Sequence, residues 1–299
     1  MFNFLALLQS LQTIKHKKIK EKNKSMNYKN IILLNYLCIA SVSAVILTPA
    51  LPQIQNFYGI DSPDLSWFVA IFLLGYVFGN LIYAPLANTY GRLKAIRFGF
   101  LLNLTGITIC YLASIDILYS YKLLLIGRLI TALGASAGLA CTFTIINELL
   151  APNKAKVVIS YSTLSFMLGI ALAVTLGGIV TQYMDWQDLF IFLFIHGLLA
   201  YVSTYFFPET LKTKHRLHPT VIIHQYAYAF AKHQLRHYAL IVGLSSTISY
   251  AYAAAAPIIA HTMLNLTPGG LRILEPIKHS WKRHQWVICT SSFKIVFCQ

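Results

Sequence analysis

Arg128 stands inside the apolar run LLLIGRLITALGASAG (residues 123–138), where a charge has no ordinary place. A charged side chain at mid-membrane costs a few kcal/mol on insertion scales, so it faces a cavity or a partner. A guanidinium keeps its proton at any working pH, so Arg128 can hold an anion or an electron-rich group but cannot relay protons. A plainer reading stands beside this one. Lys122 is only a few residues away, and the Arg128 head could snorkel to that interface. A second cluster lies in YAPLANTYGRLKAIRFGF (83–100), where Arg92, Lys94 and Arg97 follow Gly91. Glycine permits a tight turn, and the bases would hold that turn at an anionic membrane surface. Pro85 and Leu86 lead into it, and Asn88 adds a donor and an acceptor but no charge. Asn80, Thr131, Ser245 and Tyr250, with Ser41, Ser165 and Ser246, are the polar residues that could line a cavity at membrane depth.

The missing chemistry narrows the reading further. No Asp or Glu falls in the middle of an apolar run: Asp116 and Asp188 stand at the ends of two runs, and Glu148 sits at the edge of a third. A proton-coupled carrier needs a group that gains and loses a proton, and the middle of these runs supplies no carboxylate for it. There is no GxSxG, no Walker A and no HExxH, and the PGG at 268–270 is too short for a phosphate loop. No enzyme and no cofactor are expected. The ten His are scattered, mostly at 215–237 and in the C-terminal stretch, so no metal site is expected. Of the five Cys, Cys38, Cys110 and Cys141 lie in or beside apolar runs, where Cys acts as a small hydrophobe. No disulfide framework follows.

The elements that must position these residues are spans. The chain of 299 residues is 57% hydrophobic and 11% charged, against about 25% charged in ordinary soluble domains. Apolar runs at roughly 31–54, 65–86, 98–117, 121–147, 157–180, 187–207 and 238–264 reach or approach the ~20 residues that cross a bilayer as a helix. This predicts an all-α polytopic membrane protein, with the lipid bilayer as its first partner. The net charge of +15 belongs to loops and tails rather than to one face, so nucleic acid is not an expected partner. With the N-terminus inside, the inner segments hold Arg92, Lys94, Arg97, Lys154, Lys156, Lys212, Lys214, Arg216, Lys232 and Arg236, and the outer loops hold only Lys122. The positive-inside rule therefore puts the N-terminus in the cytoplasm. It also argues against a seven-span receptor, whose N-terminus lies outside. The expected layout is a cytoplasmic tail at 1–30, a six-helix bundle at 31–207, a cytoplasmic loop at 208–237, a seventh helix at 238–266 and a basic tail at 267–299. Met26 is an alternative start to Met1, because MNYKN leads straight into the first run.

The segment LLGYVFGNLIYAPLANTYGRLKAI (73–96) resembles motif A of the major facilitator superfamily, in the form seen in drug:proton antiporters of the bicyclomycin-resistance type. Pro85, Leu86, Ala87, Tyr90, Gly91 and Arg92 keep its register, while Ala84, Asn88 and Thr89 depart from it. LTPALPQI (47–54) is similar to the end of the first span in that family, Arg128 and Gly134 match motif B, TLGGIV (175–180) matches the end of the antiporter motif, and Pro208, Glu209 and Thr210 match the end of span 6. The resemblance covers about residues 31–268 in order. It implies a small-molecule or drug exporter of a bacterial inner membrane, working by alternating access, with a proton as co-substrate. Arg128 would line its cavity, and the acid that Asn88 replaces would latch the loop to the second half. A complete member has two six-helix halves, so the resemblance implies one half, a loop and one further helix here. The abrupt change after Pro268 then reads as a frameshift, and a non-transporting membrane remnant or helical interaction protein is the alternative function.

Overall fold

The computed structural model describes residues 28–115, 119–211, 219–245 and 247–248. Among them there is no strand. Six helical spans are long and apolar enough to cross a membrane: span 1 (Tyr28–Tyr58), span 2 (Ser62–Tyr90), span 3 (Arg92–Ser114), span 4 (Tyr121–Leu149), span 5 (Pro152–Tyr183) and span 6 (Asp188–Phe206). Helices win because hydrocarbon offers no partners for backbone N–H and C=O groups, so each span must pair its own.

Most spans overrun the apolar runs that reveal them. Span 3 begins at Arg92 rather than near residue 98, and only Gly91 separates spans 2 and 3. The basic residues expected in a loop are therefore helical. The helix continues out of the hydrocarbon layer, where charges are welcome. Another helix, Pro219–Ala231, lies within the segment expected to be a loop, and residues 233–245 are also helical. The N-terminal tail before Tyr28, most of the expected seventh helix and the C-terminal tail lie outside the described residues.

Span 1 is broken on purpose. The helix Tyr28–Val45 gives way to a 3-10 turn at Thr48–Ala50 and resumes at Leu51–Tyr58. Pro49 and Pro52 cannot donate, and the Thr48 hydroxyl takes the freed Val45 carbonyl at 2.7 Å. Gly59, at φ 61°, ends this helix in the left-handed conformation.

The packing repeats in inverted form. Span 4 lies against spans 2 and 3, and span 1 lies against spans 5 and 6, while spans 3 and 6 meet. Such nested three-plus-three repeats are the internal architecture of many transporter halves. The first set is tight because its contacts are glycines. A Cβ on Gly75 would lie 2.7 Å from the Leu129 carbonyl, and one on Gly79 would lie 2.9 Å from the Leu133 carbonyl. Gly134 lets span 4 touch the span 3 backbone at Gly99 and Asn103. Small faces of this kind allow close helix approach. Two apolar clusters result, one at each end of the bundle. Spans 2 and 5 are the least covered, with 28% and 22% of their apolar windows buried.

Candidate functional site

One end of the bundle carries the bases Arg92, Lys94, Arg97, Lys154 and Lys156. The other carries Asp61, Asp64, Asp185 and Asp188. At the basic end, three spans are tied by charge. The Glu209 carboxylate accepts the backbone N–H groups of Arg92 at 2.9 Å and Leu93 at 3.1 Å, where span 3 begins. It also accepts those of Thr210 and Leu211. A helix start has unpaired donors and a partial positive charge, and an acid suits both. Gly91, at φ 115°, makes the turn, and a Cβ there would lie 2.6 Å from Glu209 Oε2. The motif glycine thus serves the turn and leaves room for the acid.

Arg92 reaches from this turn to span 4. Its Nη2 lies 3.1 Å from Glu148 Oε1, and its Nε donates to the same oxygen at 3.3 Å. The other Glu148 oxygen accepts the Thr210 hydroxyl. Asn88 Oδ1 accepts from Arg92 Nη1. Asn88 therefore works inside the bundle, steering the arginine towards Glu148. Glu148 is the second-to-last residue of the span 4 helix, at the edge where the sequence places it, and there it pairs with Arg92. Arg97 binds the end of span 6 in the same way, through the Thr204 hydroxyl (3.1 Å) and carbonyl (3.2 Å), with its guanidinium over the Tyr205 ring. Lys94 is exposed.

Pro85 sits inside span 2 without ending it. Having no N–H, it cannot bond the Leu81 carbonyl one turn back. Tyr226, on the helix Pro219–Ala231, donates its hydroxyl to that carbonyl at 2.7 Å. Burial against span 2 raises the Tyr226 phenol above its ordinary value, so it stays a donor. Leu86 packs against the apolar cluster nearby.

Arg128 is fully buried and does not snorkel. Its Nη1 donates to the Ser43 carbonyl of span 1 at 2.9 Å, and its guanidinium stacks over Phe68 (4.6 Å) and Phe72 (4.3 Å) of span 2. Among the described residues its Nε has no hydrogen-bond partner. No carboxylate pairs with it among the described residues. The charge is held by a carbonyl dipole and two ring faces, which suits a planar guanidinium.

The other polar residues picked from the sequence do not gather around Arg128. Thr131 faces span 3, where its carbonyl accepts from Asn103 at 3.0 Å, and its hydroxyl is taken by Gly127. The Asn80 amide donates to Tyr76 on its own helix. Ser245 is exposed on the helical stretch 233–245, and Tyr250 lies outside the described residues. Cys38, Cys110 and Cys141 are buried free thiols. The residue missed by the sequence reading is His196. It lies near the middle of span 6, 3.1 Å from Asn35 Oδ1 on span 1. Its flanks, FLFIHGLL, were signal enough, since a ring nitrogen in such a run needs a partner.

A broken first span, inverted packing, a charge-tied hairpin between spans 2 and 3 and a buried cation on span 4 are the features of a six-span bundle built like those of membrane transporters. The match to the family description Major Facilitator Superfamily extends over residues 33–274, and the chain belongs to that family. It is an integral membrane protein of a transporter family, not an enzyme. An MFS-type transporter of Aspergillus oryzae, oryF, is 31% identical over 194 residues, 62% of this chain and 39% of the relative. A chloramphenicol resistance protein of Pseudomonas aeruginosa is 28% identical over 64% of this chain and 46% of its own length. A bicyclomycin resistance protein homolog of Haemophilus influenzae is 24% identical over 56% and 42%. The chain thus spans less than half the length of these relatives. Among solved structures, a bacterial homolog to the human lysosomal transporter Spinster, inward-facing and unoccupied, matches with a TM-score of 0.62 at 15% identity, over 82% of this chain and 57% of that one.

Proposed function

We propose that the chain is the first half of a small-molecule exporter of the drug-resistance kind, working by alternating access. In this reading residues 31–207 form the moving half, 208–237 the linker and 238–266 the opening helix of a second half. The carrying observation is the set of contacts among Arg92, Glu148, Thr210 and Glu209. They bind the start of span 3, the end of span 4 and the segment after span 6 into one piece. Alternating access by rocking requires each half to move as a rigid body, and these contacts support that reading. Export as the direction is supported by the resistance proteins among the relatives. Arg128 is the proposed substrate or coupling residue, since a buried planar cation between two rings suits an electron-rich partner. A proton is the proposed co-substrate by family likeness, although the residues around Arg128 supply no carboxylate to carry it. We place the basic end in the cytoplasm, supported by the positive-inside rule, and the protein in a bacterial cytoplasmic membrane, with the fungal relatives marking the rival location.

The test is accumulation of chloramphenicol or a lipophilic dye in efflux-deficient cells expressing the full chain. Lower accumulation than the vector control, restored by Arg128→Ala at equal membrane levels, is the expected result. Unchanged accumulation with a folded, inserted protein overturns export by this chain on its own. That outcome favours the second reading, a helical interaction module without transport, which the open faces of spans 2 and 5 support.

A further inference from the structure

Spans 5 and 6 both rest on span 1 but barely touch each other. Between them lies a groove of about 570 Å³. Leu168 and Leu172 form one wall, Ile195 and Leu199 the other, and all four are exposed, so the groove opens sideways from the bundle. It is separate from Arg128, which is held between spans 1 and 2 on span 4.

The groove is mostly apolar: Tyr161 also lines it, and the Ser165 hydroxyl is already engaged by Cys38 and the Leu34 carbonyl. At one level His196 Nε2 meets Asn35 Oδ1 at 3.1 Å. With the amide oxygen as acceptor, the ring Nε2 donates, His196 Nδ1 is left as an acceptor and Asn35 Nδ2 as a donor. Neither has a hydrogen-bond partner among the described residues. By helix rise this level is about 12–15 Å from either end of span 6, beyond easy reach of interfacial water. Unpaired polar groups in hydrocarbon cost a few kcal/mol, so the pair invites a partner. No lining residue is Asp, Glu, Lys or Arg. A charged head would find no counter-charge there and would pay for its burial. The volume falls in the range of small-molecule sites, roughly 300–1,000 Å³.

We propose that this groove binds an uncharged amphiphile from the bilayer, an apolar body with a hydroxyl head that donates to His196 Nδ1 and accepts from Asn35 Nδ2. A phospholipid tail fills the walls but leaves both polar atoms unpaired. A carboxylate or quaternary ammonium head brings a charge that nothing here meets. The site does not depend on the chain exporting anything.

The experiment uses the full chain in phosphatidylcholine nanodiscs at pH 8, labelled with a long-chain alcohol bearing a diazirine on its chain. Adducts are mapped by mass spectrometry. The expected result is labelling concentrated near Leu168, Leu172, Ile195 and Leu199 over Val77 and Phe78, equally exposed positions on span 2. Unlabelled alcohol should compete better than its carboxylate and trimethylammonium analogues. His196→Leu, with unchanged melting, should weaken that competition about tenfold, the value of one to two hydrogen bonds. Leu168→Trp fills the groove without touching the polar pair and should abolish labelling, so the site stays testable should His196→Leu not fold. Equal labelling of span 2, no preference for the alcohol, or a preference that survives His196→Leu overturns the proposal.

Discussion

Glu209 and Arg92 lie more than a hundred positions apart in sequence, yet the Glu209 carboxylate caps the helix that Arg92 begins, 2.9 Å from its backbone N–H. The same carboxylate takes the Leu93 N–H, and Gly91 presents it with hydrogen where any other residue would present a methyl carbon. Motif glycine and distant acid are therefore one device.

That relationship sets the first prediction. Glu209→Gln keeps an acceptor but loses the charge and half of the acceptor capacity, and should cost about 1–2 kcal/mol. Gly91→Ala should cost about 1–3 kcal/mol from its backbone conformation, with a collision added. The Gly91→Ala/Glu209→Ala double variant removes the collision, so its loss should be smaller than the sum of the Gly91→Ala and Glu209→Ala losses. Thermal unfolding of the purified chain in detergent reads all four variants. Simple additivity would show that the acid and the glycine act separately.

A second prediction concerns Arg92 and Glu148. Their side chains are 11% and 30% exposed, so water screens the pair only partly. Glu148→Gln should lower stability by about 1 kcal/mol, more than a fully exposed pair commonly returns. The charge-swapped variant Arg92→Glu/Glu148→Arg should recover less than half of the single losses. The swap moves the acid beside Asn88 Oδ1 and Glu209, where it is repelled. Full recovery in a melting experiment would mean that the two charges matter only to each other.

The spans were legible because run length and hydropathy decide them, and the clusters at 83–100 and 123–138 were legible because motifs are local. What joins them was not. Glu209 could be placed at the end of span 6, but nothing in a one-dimensional reading carries it back to Gly91. The resemblance assigned the missing acid at Asn88 a partner in a second half. Within this chain Asn88 accepts from Arg92, four residues on, and the acids near that turn are Glu148 and Glu209. Arg128 was recognised as informative, but its holders, a carbonyl and two rings, belong to ordinary-looking positions on spans 1 and 2. His196 was overlooked because histidines were weighed as a scattered group rather than by the apolarity of their neighbours.

Arg128 supplies the third prediction. Arg128→Lys keeps the charge but loses the planar fork and the double ring contact, so it should not restore function. Arg128→Met keeps much of the volume and removes a buried charge that lacks a carboxylate. Such replacements are often neutral or stabilising. Arg128→Met should therefore melt no lower than the parent while losing any accumulation phenotype. A large fall in melting temperature would recast Arg128 as a residue of the scaffold.

The last prediction tests why Tyr226 is where it is. Pro85 leaves the Leu81 carbonyl without its helical donor, and Tyr226 replaces it from another helix. Tyr226→Phe leaves that carbonyl unpaired and should cost about 1–2 kcal/mol in the docking of the helix Pro219–Ala231. Limited proteolysis or hydrogen exchange at 219–231 reads this directly as faster cleavage or exchange. Pro85→Ala returns the N–H and closes the span 2 ladder, so the carbonyl no longer needs a phenol. In that background Tyr226→Phe should change little. If Tyr226→Phe loosens the helix equally in the parent and in the Pro85→Ala background, the hydroxyl is not answering the proline, and packing of the ring alone holds the helix in place.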